Sequence, residues 1–197
     1  MSKETSKDVS DLKDLVYRRI IALYKSDDRK TLANLRKAAG CPPGGAPNVW
    51  RETLSELPSP FKGDKYEPTY TEWAAHIALT VYALHQQGKG DLMHVEGVSL
   101  GTAMRRLVRD ADDEPRVKSR FDRAAMAGDI TALAYWLRGL VQILRSESVK
   151  LDYSLLAEDL YWFQFPERRS AVRLRWGRDF YAKARKPAIS VNANLDE

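Results

Sequence analysis

The sequence predicts an all-α fold, a bundle of about eight to nine helices, and three observations carry that prediction. Apolar residues recur at three- and four-residue spacing along nearly the whole chain, which puts side chains on one face of a helix. No stretch alternates apolar with polar residues convincingly enough to read as a strand. The composition, 44% hydrophobic and 30% charged over 197 residues, is that of a globular chain able to bury one sizeable core or two small ones.

The elements follow in order. A polar start, residues 1–10, is expected to be flexible, and Leu12, Leu15, Val16, Ile20 and Leu23 make the first helix. Asp27 or Asp28 caps a second over 29–39, and CPPGGAP is a loop. A short helix then places Trp50, Leu54 and Leu57 on one side until Pro58 and Pro60 break it. Residues 69–87 carry Trp73, Ile77, Thr80, Val81 and Leu84 on a single face, the pattern of a central core helix. Glycines 88, 90 and 97 mark a mobile connection, and two small helical lobes are expected to meet near 88–98. Four helices are expected over 99–110, 115–127, 129–146 and 152–163. A last one begins at Pro166, since proline is accepted where the first helical turn needs no N–H, and 187–197 read as a disordered tail.

Several function classes are set aside by composition and motif. The most apolar run, 73–84, is interrupted by His76 and too short to span a bilayer, so the expectation is a soluble cytoplasmic protein. A single cysteine, Cys41, makes neither an internal disulfide nor a cysteine-rich zinc site. Residues 97–101, GVSLG, match the nucleophile elbow of serine hydrolases, but that turn needs a preceding strand and a histidine that follows the serine. All three histidines, His76, His85 and His94, precede Ser99, so the better reading is local: Gly97 permits a turn and Ser99 caps the next helix. Glu72 and His76 stand four apart as metal ligands can, without the further ligands of a zinc site. The run from Asp110 to Glu114 lacks the central glycine of a calcium loop and is better placed as negative charge at a helix start. Neither cofactor nor metal nor catalysis is expected.

Positive charge is unevenly placed. Residues 165–186 carry a net +6 in a chain whose total is +5, which points to a polyanionic partner. On the last helix Arg168, Arg175, Arg178 and Arg185 share one arc, while Val172, Trp176 and Phe180 share another. The helix after Ser99 likewise opposes Arg105, Arg106 and Arg109 to an apolar face. Arginine suits phosphate because its planar fork forms paired hydrogen bonds. With Arg29, Lys30, Arg36 and Lys37, these residues outline a track for a nucleic-acid backbone. Trp162, Phe163, Phe165, Trp176 and Tyr181 are either bases' stacking partners or, more commonly, core. No base-reading module is present, so recognition would be sequence-independent. A second class of reading is a helical scaffold whose basic helix docks on acidic proteins alone.

Three segments carry a family likeness: 97–101 with Ala103, 151–160 (LDYSLLAEDL) and 172–181 (VRLRWGRDFY). In that order, and with Leu35, Arg36 and Lys37 in an early basic helix, the chain resembles the CasB family over roughly residues 12–181. These proteins are the small subunit of the type I-E CRISPR surveillance complex, Cascade. The resemblance implies an all-helical fold of two small lobes and paired copies packed head to tail beside the other Cascade subunits. It implies a non-catalytic task, steadying the guide RNA, the target DNA and the displaced strand of the R-loop. Carried over by position, it implies nucleic-acid contacts at Arg36, Lys37, Arg116, Arg120, Arg138, Arg168, Arg169 and Arg173, with Arg105, Arg106 and Arg109 beside them. Arg175 joins these as part of the last helix's arginine ridge.

Overall fold

A computed structural model describes residues 3–57 and 66–182, and the tail expected after residue 186 lies outside them. Nine α-helices are present among the described residues and no strand: α1 (Lys3–Lys25), α2 (Arg29–Ala38), α3 (Trp50–Thr53), α4 (Tyr70–Gln86), α5 (Leu100–Arg105), α6 (Asp113–Ala125), α7 (Ile130–Ser146), α8 (Tyr153–Phe163) and α9 (Pro166–Tyr181). No helix among them is long and apolar enough to cross a membrane.

Local chemistry starts most of these helices where the sequence places them. Asp28 accepts a hydrogen bond from the Thr31 N–H at 2.9 Å, and Asp129 from that of Ala132 at 2.7 Å. Thr69 and Glu72 form a reciprocal capping box, Glu72 accepting from the Thr69 N–H at 2.6 Å, so this carboxylate serves α4 rather than a metal. Pro166 occupies the first turn of α9.

The central helix is α4, which packs against α1, α2, α7 and α8. It is buried nearly all round, including His76 and His85, rather than along one face, which is why its apolar pattern is only weakly one-sided. Helix α8 packs on α1, α4 and α9, and α5 lies across α9. The buried apolar side chains form one contiguous cluster, with Trp176 of α9 enclosed by Phe121 of α6 and Phe163 of α8.

Three boundaries or faces differ from expectation. Helix α1 begins earlier, at Lys3, and buries Val9 a turn before the predicted core residues. Helix α5 ends at Arg105, although Leu107 just beyond it is still buried. Helix α3 is only four residues long and buries Thr53, with Val49 buried just before it, leaving Trp50 exposed with its indole N–H donating to the Gly44 carbonyl. A single turn has too few residues for a stripe such as Trp50, Leu54 and Leu57 to decide its orientation.

Residues 91–98, next to the glycines, are held by side chains from both flanks. The Gln86 amide donates to the carbonyls of Lys89 and Asp91 and accepts from the Met93 N–H, all within about 3 Å. Val95 donates its N–H to the Leu151 carbonyl while Leu151 donates its own to the Met93 carbonyl, and Asp152 takes the Gly97 N–H at 2.8 Å while capping α8.

Candidate nucleic-acid interface

The GVSLG turn is a packing joint. Gly97 takes a left-handed backbone, φ +78°, and Ser99 accepts the Thr102 N–H as the cap of α5. The Ser99 hydroxyl donates to the Asp179 carboxylate at 2.6 Å, fastening α5 to α9. Gly101 is where the two backbones meet: a Cβ there would stand 2.2 Å from the Trp176 carbonyl oxygen. No histidine serves Ser99. His94 accepts the Tyr153 N–H, and His85 shares a 2.7 Å hydrogen bond with the Tyr153 hydroxyl. Burial holds all three imidazoles below their ordinary range, His85 at about 4.

The arginine ridge of α9 divides. Arg169 donates to the carbonyls of Phe163 and Gly128, and Arg173 to those of Ala125 and Ala127, both with their guanidinium over the Phe163 ring. The carbonyls of the last turn of a helix have no partners within it; these two side chains supply donors for Phe163 at the end of α8, for Ala125 at the end of α6, and for Ala127 and Gly128 in the turn that follows α6. Arg175 pairs with Asp159, which is 1% exposed and also accepts the Trp176 indole N–H at 2.7 Å. Arg168 and Arg178 remain exposed with no ion pair among the described residues, Arg168 lying over Trp162. Of the aromatics named with this helix, Phe163 and Trp176 are core, Trp162 and Phe165 half-buried, and Tyr181 exposed.

The other expected residues are scattered. Arg105 pairs with Glu114 at 2.7 Å, Arg109 with Glu147 and Arg116 with Asp113, which raises the Arg116 guanidinium. Asp110 accepts the N–H groups of Asp112 and Asp113, so the acidic run folds on itself and on these arginines. Arg106 and Arg120 are exposed, with no ion pair among the described residues. Arg138 is half-buried, one guanidinium nitrogen lying where a Cβ on Gly40 would come within 2.6 Å.

One place gathers cations around open space. A cleft of about 770 Å³ lies between the end of α1, α2 and the turn after α4, lined by Lys25, Arg29, Arg36 and Lys89. Among its described lining residues the only carboxylate is Asp27, already paired with Arg29 at 3.0 Å. Its far wall is fixed by the Gln86 amide, by Tyr24 donating to the Gly90 carbonyl at 3.1 Å, and by Lys89 donating to Ser148 at 2.7 Å. Lys37, on the same helix as Arg36, is exposed. Spacing points to Arg29, Arg36 and Lys37. Lys25 stands beside them at the end of α1, whereas Lys89 joins them only because a turn some sixty residues away folds back on α2, and no local pattern reports that.

This arrangement of helices has known counterparts. The model of the CRISPR-associated protein Cse2 family matches residues 31–181. The chain belongs to the Cse2 family. The crystal structure of CasB from Thermobifida fusca is similar at 37% identity and a TM-score of 0.74, covering 89% of this chain and 98% of that one. A Cse2-family protein from Thermus thermophilus aligns at 26% identity, TM-score 0.60, over 92% of this chain and 99% of its own. A structure of CasB from Thermus thermophilus, at 24% identity and TM-score 0.62, shares the fold over 92% and 99%. No curated protein matches the chain. The Cse2 match spans Arg36 and the other contact residues that the CasB resemblance implies, while Lys25 and Arg29 of the cleft precede it.

Proposed function

We propose that this Cse2-family protein is the non-catalytic small subunit of a type I-E Cascade complex, working in the cytoplasm as paired copies beside the other Cascade subunits. Its cations hold the phosphate backbone of the guide RNA, the target DNA and the displaced strand without reading sequence. R-loop formation is a nearly balanced exchange of one duplex for another, so a few backbone contacts tip it. The observation that carries this reading is the cleft in which Lys25 and Arg36 face open space, with Lys89 on its wall and no free carboxylate among its described lining residues.

The contact residues then fall into groups by what else occupies them. Arg36, Lys37, Arg106, Arg120 and Arg168 meet phosphate directly. Arg105, Arg109 and Arg116 do so by exchanging weak surface ion pairs for phosphate. Arg169, Arg173 and Arg175 contribute charge from fixed positions while bracing the fold, and half-buried Arg138 contributes charge beside Gly40.

The test is salt-dependent binding of the isolated protein to single- and double-stranded DNA and to RNA. Binding is expected to be weak, insensitive to sequence and steeply reduced by salt. Replacing Arg36 and Lys89 together by alanine is expected to lower the slope of log affinity against log salt by about 2. An unchanged slope, with assembly into the complex lost instead, would assign the cleft to a protein scaffold.

A further inference from the structure

A second groove, between α6 and α7, has a different chemistry from the cleft. It encloses about 450 Å³ and no carboxylate lines it among the described residues. Arg120 and Arg123 of α6 form one wall, and Trp136 of α7 forms the other, with Leu140 and Ile143 also lining it. The exposed Arg123 guanidinium lies over the Trp136 ring, its carbon 5.6 Å from the ring centre, a contact that a base replaces on the indole as the arginine turns to a phosphate. Gly139 leaves the groove open: a Cβ added there would meet nothing within 4 Å. Arg120 and Arg123 have no ion pair among the described residues.

We propose that this groove holds one unpaired nucleotide of a single strand, its base against the Trp136 indole and its flanking phosphates on Arg120 and Arg123. An anion alone would need only the arginines. A flat aromatic wall beside unpaired cations, with apolar side chains below, suits a base and its backbone together, as in sequence-tolerant single-strand binding. The inference rests on the nucleic-acid reading above and adds strand selectivity to it: a duplex keeps its bases stacked and presents only phosphates to the groove.

The experiment compares three ligands on the full chain: oligothymidylate, the same length of abasic strand, and a duplex. Trp136→Leu is expected to weaken oligothymidylate binding about tenfold and to leave abasic strand and duplex unchanged. Because Trp136 is half-buried, a second variant guards against misfolding. Gly139→Leu fills the groove from its open side, replaces a helix-weakening residue, and is expected to fold at least as stably while causing the same base-dependent loss. Equal losses on oligothymidylate and abasic strand, or no loss on either, overturn the proposal while leaving backbone binding in place. Gly139→Leu that binds strands normally but fails to join the assembled complex makes the groove a protein-docking surface, which also overturns it. A wild-type protein that binds none of the three ligands overturns this inference and the function it rests on together.

Discussion

On α9, Arg169 and Arg173 spend their donors on the carbonyls that end α8 and α6 and on the turn after α6, and Arg175 pairs with buried Asp159; around the α1–α2 cleft, Lys25 and Arg36 face open space with the one carboxylate among the described lining residues taken by Arg29. Charge density along the chain ranks these regions in the opposite order, since residues 165–186 hold more net charge than the whole molecule. What separates them is the neighbour each guanidinium finds. A helix end or a buried carboxylate draws an arginine into the structure, because leaving such a group unpaired costs about 1–3 kcal/mol. Where the surrounding backbone is already satisfied, as Gln86 satisfies the turn after α4, the cations are left for a partner.

The largest test breaks the α9 side. Gly101→Ala would drive a methyl group into the Trp176 carbonyl, backbone against backbone, at the point where α5 crosses α9. Overpacking of this kind costs about 3 kcal/mol. Urea unfolding should show that loss, while the folded fraction keeps its salt-sensitive binding because the cleft lies on other helices. A loss of binding without a loss of stability would mean that α9, not the cleft, carries the interface.

The next effect comes from a buried histidine of α4. Burial holds His85 neutral, with its pKa down at about 4 against about 6.5 when unfolded. Between those values the unfolded chain takes up a proton that the folded one refuses, so the stability is full above about pH 6.5 and is lost as pH falls toward 4. From pH 8 to pH 5, His85 alone accounts for about 2 kcal/mol. Denaturation of wild type and His85→Gln at both pH values checks this: the wild type should lose more on acidification by about that amount.

These cases also mark what the sequence makes legible. Helix order, the start of α9 at Pro166 and the cap at Ser99 are written within four residues of where they act, and they are where the spacing puts them. Gly101 carried a readable signal too, since a glycine inside a helix often marks close approach of another backbone, but its partner Trp176 lies in a different segment. The partners of Arg169 and Arg173 in the α6–α7 turn stand 41 to 48 residues upstream, and periodicity within α9 says which side an arginine points to but not what waits there. The cleft is hidden for the same reason: Lys89 belongs to a turn whose place beside α2 follows from how α4 packs.

The smallest and most discriminating test sets one arginine from each region side by side. Arg173→Ala removes donors from two carbonyls at the end of α6 and a cation from the Phe163 face, and should cost about 1–2 kcal/mol in thermal or urea unfolding. Arg36→Ala removes a side chain that has no ion pair among the described residues, so its stability should stay within about 0.5 kcal/mol of wild type. Binding should reverse the order, with Arg36→Ala reducing the salt slope by about 1 and Arg173→Ala reducing it less, because a guanidinium committed to two carbonyls gives phosphate only its long-range charge. If both variants lost stability and binding in proportion, charge placement rather than donor availability would govern both regions, and the contrast between the ridge and the cleft would collapse.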